Sequence, residues 1–108
     1  MTDVNFDERI DDTLLSIEDA IDDDGCDIDY DTVVGILTLT FPNETKVIIN
    51  RQSATGQLWI AAKSGGFHLD WIDQQWFCKT EALALSALLN RICTDQLGED
   101  VQLDLGSM

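Results

Sequence analysis

The first quarter of the chain carries one apolar stripe with the spacing of an α-helix. Its members, at intervals of four, four, three and four residues, are Phe6, Ile10, Leu14, Ile17 and Ile21. This periodicity predicts an amphipathic helix over residues 3–23, because such positions share one helical face. Gly25 follows the last stripe residue closely and is predicted to end the helix.

The middle of the chain alternates apolar and polar residues with the period of two that is typical of β-strands. The predicted strands are VVGILTLTF (33–41), TKVIINRQ (45–52), QLWIAAK (57–63), FHLDW (67–71) and a short last strand QWFC (75–78). Turn residues separate them, PNE at 42–44 and SGG at 64–66. Such short connections favour an antiparallel meander.

A second amphipathic pattern follows the predicted strands. Its apolar face consists of Leu85, Leu88, Leu89, Ile92 and Cys93. Thr80 is the predicted N-cap of this helix and Gly98 its stop, while the tail after Gly98 is predicted to add a short extended segment. Two amphipathic helices need one apolar surface. We therefore expect a single α+β domain over residues 1–108, a two-layer sandwich with two helices packed on one face of an antiparallel sheet.

Charge is distributed unevenly along the 108 residues. The formal net charge is -15, and residues 1–31 contain thirteen acids and one cation. Such a chain is not expected to bind nucleic acid, which requires a basic surface. It favours cations or basic proteins as partners.

The rest of the composition predicts a cytoplasmic protein. No run of about 18 apolar residues predicts a membrane span. The acidic N-terminus resembles neither a secretory signal nor a transit peptide. Three cysteines at wide spacing, Cys26, Cys78 and Cys93, suggest reduced thiols rather than a disulfide framework or a zinc site.

The stretch Ile17–Asp31 holds eight carboxylates in fifteen residues and no cation. Asp22, Asp23 and Asp24 fall at the predicted helix C-terminus, where the dipole disfavours each exposed anion by roughly 0.3–1 kcal/mol. A solvated acidic face is one interpretation. A calcium loop of the EF-hand type is another, but its register fails, since Ala20 would occupy the first ligand position.

A third interpretation is a shallow, multi-carboxylate metal surface that doubles as a docking face. Carboxylates are hard oxygen ligands and suit iron, manganese, magnesium or calcium. Without histidine or cysteine ligands close by, we expect binding to be weak, exposed and permissive of several cations. A cation should also stabilise the fold, because it relieves repulsion that exists only in the folded chain.

Trp59 is predicted to lie on the solvent-facing side of the sheet rather than in the core. Leu58 and Ile60 already fill the opposite face of its strand. Asn50, Gln57 and Arg51 lie near Trp59 in the pattern. An exposed tryptophan in such a setting suggests an interaction site.

The only histidine, His68, is predicted on the same face beside Asp70. It is a candidate secondary metal ligand, with an ordinary surface histidine as the alternative.

The segment TLTFPNETKVIINRQSATGQLWIAAKSGGFHLDW, Thr38–Trp71, follows an acidic first helix and resembles bacterial frataxin, the CyaY family. The resemblance implies iron binding, Fe²⁺ or Fe³⁺, and a role in iron–sulfur cluster assembly as regulator or iron donor. It implies two partners, a cysteine desulfurase whose basic patch docks on the acids and the iron–sulfur scaffold protein. We expect a monomer without metal.

The resemblance also assigns site residues. The acids that match the family's metal-binding and docking edge, called the acidic ridge below, are Glu18, Asp19, Asp22, Asp23, Asp29 and Asp31. Asp3 and Asp7 are further metal candidates, although Asp7 stands where some relatives have histidine. Partner binding is implied for Glu18, Asp19, Asp22 and Asp23, and on the sheet for Asn50, Gln57 and Trp59.

No enzyme motif is present in the sequence, and the chain is predicted not to be an enzyme. There is no phosphate-binding glycine loop, since SGG is too short and is followed by a strand. Two other functions stay open. One is an acidic protein-binding module whose metal affinity is incidental, and the other is surface iron oxidation.

Overall fold

The computed structural model describes residues 4–103 and residue 105. Its elements in chain order are α1 (Val4–Asp24), β1 (Asp29–Val33), β2 (Ile36–Thr40), β3 (Lys46–Gln52), β4 (Gln57–Ala62), β5 (Gly65–Ile72), β6 (Gln75–Cys78), β7 (Leu83–Ala84) and α2 (Leu85–Leu97). The strands form one seven-stranded sheet in the order β1-β2-β3-β4-β5-β6-β7, with every neighbouring pair antiparallel.

One face of the sheet is buried under both helices. The buried strand residues alternate along the central strands and include Leu37, Leu39, Val47, Ile49, Leu58, Ile60 and Leu69. The predicted stripe of α1 and the predicted apolar face of α2 are buried in the same cluster. The opposite sheet face is open, which confirms the predicted two-layer sandwich.

Both helices end at glycines, as predicted. Gly25 has a φ of 71° and donates its N–H to the carbonyl of Ile21 at 3.1 Å. Gly98 has a φ of 78° and donates to the carbonyl of Thr94 at 3.0 Å. Each glycine occupies the left-handed conformation that closes a helix, which other residues adopt only with strain.

The predicted N-cap of the second helix is wrong. α2 begins at Leu85, and Thr80 lies in the preceding turn with its hydroxyl 3.4 Å from Cys78 Sγ. Leu83 pairs instead with Cys78 to form β7, so this pairing delays the start of the helix. QWFC is therefore not the last strand.

The predicted strand VVGILTLTF is two strands joined by a tight turn. Val34 and Gly35 both have positive φ, 46° and 75°, and connect Val33 to its partner Ile36. Two such residues make a type I′ hairpin turn. A Cβ on Gly35 would lie 3.2 Å from Arg51 Nε, so another residue there would have to shift that side chain slightly as well as adopt a positive φ. Val34 is β-branched and strained by about 1–3 kcal/mol in this conformation.

A buried polar contact ties α1 to β6. Trp76 is fully buried, and its Nε1–H donates to Thr13 Oγ1 at 3.0 Å. The Thr13 hydroxyl donates in turn to the carbonyl of Arg9 at 2.7 Å. Phe6 and Trp71 meet Trp76 edge-on, at ring-centroid distances of 6.4 and 5.2 Å. The indole N–H thus has its acceptor inside the core.

The tail after Gly98, predicted as a short extended segment, packs on α2 and forms no strand in residues 99–103. Val101 and Leu103 are buried, and the Leu103 N–H donates to Asn90 Oδ1 at 2.8 Å. Side-chain acceptors on α2 therefore replace a sheet partner.

Replacing Thr13 by Val should destabilise the protein by about 1–3 kcal/mol, because it leaves the buried Trp76 N–H without its acceptor. Urea unfolding measures the change. Thr32→Val is the matched control: it removes a hydroxyl that also donates a hydrogen bond, but on the exposed edge of the sheet. Its effect should stay within about 0.5 kcal/mol. Equal effects of the two variants would contradict this account of the core.

Candidate metal and partner-binding surface

The C-terminal half of α1 runs beside the edge strand β1. The Tyr30 hydroxyl donates to Asp22 Oδ2 at 2.7 Å, and the Thr32 hydroxyl donates to a Glu18 carboxylate oxygen. Alternate strand residues share a face, so both donors point toward the helix layer. The edge strand thereby holds two carboxylates of the acidic ridge in place.

The strand acids of the acidic ridge point the other way. Asp29 lies opposite Thr40 and Asp31 opposite Thr38 in the β1–β2 register. They alternate with Tyr30 and Thr32, so they project onto the open face of the sheet, and both are exposed. The acidic ridge therefore wraps around the sheet edge, with its helix part on one side of β1 and its strand part on the other.

No ion pair among the described residues compensates the acidic ridge. The three pairs found in residues 4–103 are Arg51–Asp7 at 3.2 Å, Lys79–Asp70 at 3.8 Å and Arg91–Glu81 at 2.6 Å. Arg9, the one cation of the acidic N-terminal region, lies with its guanidinium carbon 4.5 Å from the centroid of Trp71 instead. The carboxylates of the acidic ridge therefore have hydroxyl or solvent partners but, within residues 4–103, no cation beside them.

Asp7 is set apart from the acidic ridge. Arg51 of β3 pairs with it, and fifteen residues of helix separate it from Asp22, about 22 Å at the helical rise. Asp3 lies outside the described residues. The structure therefore places the six members of the acidic ridge along the β1 edge, on its two sides, and Asp7 away from them.

Within the described part of the chain, no three His, Cys, Asp or Glu side chains are arranged to hold a metal ion. The thiol nearest in sequence is Cys26, between Asp24 and Asp27. Burial and a hydrogen bond with Asp24 raise the pKa of Cys26 to about 11, so it stays protonated at neutral pH. The ridge consequently offers carboxylate oxygens as its ligands.

The open face carries the predicted cluster around Trp59. The tryptophan is half-buried, and its Nε1–H donates to Gln57 Oε1 at 2.9 Å. Gln57 donates in turn to Asp70 Oδ1 at 3.1 Å, while Asn50 is the register partner of Trp59. The structure thus brings Asn50, Gln57 and Trp59 together on one solvent-facing surface.

His68 stacks on Trp59 rather than facing the acidic ridge. The two rings lie 4.3 Å apart at an angle of 17°. Four strand spacings, about 19 Å, separate β5 from β1 in the sheet. A metal at His68 would therefore be a site distinct from the acidic ridge.

Tyr30 and Thr32, which contact the acidic ridge, were not predicted from the sequence. They could have been found from the alternation of β1, which places them opposite to Asp29 and Asp31.

Arg51 was predicted near Trp59. It alternates with Asn50 and points to the helix layer, where it pairs with Asp7. This pairing gave no local signal, because it spans 44 residues.

Comparison with solved structures defines the class of protein. The structure of frataxin from Psychromonas ingrahamii has a TM-score of 0.87 and 34% identity and covers 94% of this chain and 97% of that one. Trimeric frataxin from the yeast Saccharomyces cerevisiae, complexed with ferrous, has a TM-score of 0.68 at 23% identity and covers 92% and 90%. The α-β sandwich is thus the frataxin fold.

Sequence comparison then gives the family. The family model of the frataxin-like domain matches residues 1–99. The iron–sulfur cluster assembly protein CyaY of Vibrio campbellii is 38% identical over 94% of this chain and 97% of its own length. That of Pseudomonas paraeruginosa is 42% identical over 94% and 96%. The chain belongs to the frataxin family, among its bacterial CyaY members.

Neither helix described here is long and apolar enough to cross a membrane.

Spectrophotometric titration should show a raised pKa for Tyr30, the only tyrosine. Its hydrogen bond to Asp22 stabilises the protonated phenol, and the neighbouring acids act in the same direction. Because the pKa is higher in the folded state, the hydrogen bond stabilises the fold fully at a pH below 10.0, the ordinary pKa of tyrosine. This stabilisation is lost as the pH rises through the folded-state pKa. Asp22→Asn should lower the pKa toward the ordinary value. Asp23→Asn, a neighbouring charge removal, should lower it less, and equal shifts would contradict the bond.

Proposed function

We propose that this protein binds iron on its acidic ridge and acts in iron–sulfur cluster assembly, as regulator or iron donor, by docking the acidic ridge on the cysteine desulfurase. One observation carries the proposal. The six carboxylates lie at one edge of the sheet without an ion pair among the described residues, whereas Asp7, Asp70 and Glu81 elsewhere are paired. The curated relatives, named as iron–sulfur cluster assembly proteins, support it.

Iron would bind to the acidic ridge through one or two carboxylates at a time, with water completing its coordination. Exposed carboxylates are hard ligands that suit Fe²⁺ and Fe³⁺, and other divalent or trivalent cations would substitute for them. Asp22 and Glu18 are oriented by Tyr30 and Thr32, which favours them as anchoring ligands. Asp7 would take part only by releasing Arg51. Asp3 stays a proposed ligand.

The desulfurase would meet the same carboxylates with a basic patch. Charged groups at such an interface steer association and fix orientation more than they add affinity. Metal and desulfurase would therefore compete for Glu18, Asp19, Asp22 and Asp23. This competition gives iron a way to regulate docking.

The scaffold protein would contact the open face at Trp59. Tryptophan is enriched among the residues that dominate binding energy at interfaces. Here the ring is held by His68 on one side and Gln57 on the other, so little side-chain freedom would be lost on binding. Asn50 and Gln57 supply polar groups beside it.

We propose a non-catalytic protein of the cytoplasm that is monomeric without metal. Surface iron oxidation is the enzymatic alternative. It would appear as oxidation of ferrous iron, with turnover, above the uncatalysed rate. An acidic module with incidental metal affinity would instead bind the desulfurase equally well with and without iron.

Reversing Asp22 and Asp23 to Lys should weaken both iron binding and desulfurase binding by about tenfold, since each reversal replaces attraction by repulsion. Fold stability should stay unchanged or rise, because the removal of two anions from the negative end of the helix dipole offsets the loss of the exposed Tyr30–Asp22 hydrogen bond. Isothermal titration measures both affinities, and thermal unfolding measures stability.

Asp11→Lys with Asp12→Lys is the matched control. It makes the same charge change on exposed positions of the same helix, about 16 Å away along the axis. Both affinities should change less in the control. Binding of iron and desulfurase unchanged by the Asp22 and Asp23 reversals would refute the proposed function.

A further inference from the structure

Exposed aliphatic side chains cluster at one corner of the open face. The large hydrophobic residues exposed in the described part of the chain are Leu15, Val33, Val34, Ile36 and Ile48. All but Leu15 belong to β1, β2, β3 or the turn between the first two. Val34, at the turn, is 81% exposed, the highest value of the five. Scattered apolar residues need no explanation, but a contiguous group marks an interaction surface.

The cluster is continuous with the Trp59 surface. In the strand registers Val33 lies opposite Ile36, Ile36 opposite Asn50, and Asn50 opposite Trp59. These four residues form one row across four strands on the open face, about 14 Å long at the usual strand spacing. Val34 follows Val33 in the turn at the end of the β1–β2 hairpin, next to one end of this row.

Val34 occupies a conformation that stability alone would not select. Its φ of 46° places it at the first position of a type I′ turn, where Asn or Gly is preferred and a β-branched residue is strained. The turn is nevertheless held in place, because the Arg51 guanidinium packs against Gly35 and pairs with Asp7. A strained, exposed and supported apolar residue indicates a role in contact with another molecule.

The charge beside the cluster specifies the partner. Asp29 and Asp31 project from β1 onto the same face as Val33, and no ion pair in residues 4–103 reaches them. A second copy of this chain, with its net charge of -15, would be repelled. We infer that the Val33–Val34 corner docks a heterologous protein surface in which an aliphatic or aromatic side chain is bordered by Lys or Arg.

This inference rests on the proposed function and extends its open-face contact to the sheet edge. Val34 would fill an apolar depression in the partner, while Asp29 and Asp31 meet the bordering cations. The helix part of the acidic ridge lies on the other side of the same strand. One partner surface that bends around β1 could therefore contact both.

The test is Val34→Asn, with the purified complex of cysteine desulfurase and scaffold protein as the probe. Asn accepts the left-handed conformation, so the melting temperature should rise by about 3–6 °C. Loss of the apolar anchor should weaken binding of the complex by about tenfold. Gln74→Asn is the control, an uncharged change at an exposed residue with a φ of 65° in the β5–β6 turn. It should leave the affinity unchanged.

Each outcome decides the inference. If Val34→Asn binds the complex as tightly as the wild type, the inference is overturned. The proposed function is then still tested separately by the Asp22 and Asp23 reversals. A lowered melting temperature overturns the argument from strain. If the wild type sediments as a dimer and Val34→Asn as a monomer, the Val33–Val34 corner binds a second copy of the chain. That result contradicts the inference. Failure of the wild type to bind the complex overturns both proposals.

Discussion

Burial of the α1 stripe against the sheet is the interaction on which the rest of the structure depends. Stripe residues such as Ile10 and Ile17 are completely buried, which allows the helix only one rotation about its axis. The acids between them must then face outward. Thr13 fixes the same rotation through a polar contact, because it accepts the hydrogen bond of the buried Trp76 indole N–H. Leaving that N–H without an acceptor in the core would destabilise the fold. The acidic surface is thus a direct consequence of how the helix packs.

The edge strand β1 connects the acidic surface of α1 to the open face of the sheet. Its alternation sends Tyr30 and Thr32 to the helix layer and Asp29 and Asp31 to the open face. An exposed strand edge invites pairing with other chains, and charged residues on it discourage such pairing. The acids of β1 therefore protect the edge against aggregation and also join the helix acids to the Trp59 surface. A single short strand links the metal-binding and partner-binding proposals.

Local sequence patterns were sufficient to predict the two layers, the buried residues and the C-terminal ends of both helices, because each depends on residues a few positions apart. The sandwich, the face of Trp59 and the two terminating glycines are confirmed. The start of α2 was missed, because pairing of Leu83 with Cys78 is a tertiary event that competes with the local cap signal of Thr80. The hairpin at Val34 was missed for a related reason, since Val at that position favours a strand by itself. The pairing of Asp7 with Arg51 links distant segments and has no local pattern.

The contrast between Asp7 and the acidic ridge argues that the missing cations are a selected feature. The chain has few positive groups, yet it places Arg51 against Asp7, Lys79 against Asp70 and Arg91 against Glu81. Each of these pairs joins residues at least nine positions apart in the chain, and each is partly exposed to solvent. The acidic ridge, by contrast, combines like charges with the unfavourable end of a helix dipole, and the adjacent corner adds a strained Val34. Several unfavourable local features concentrated at one edge of the fold are best explained by a partner that relieves them.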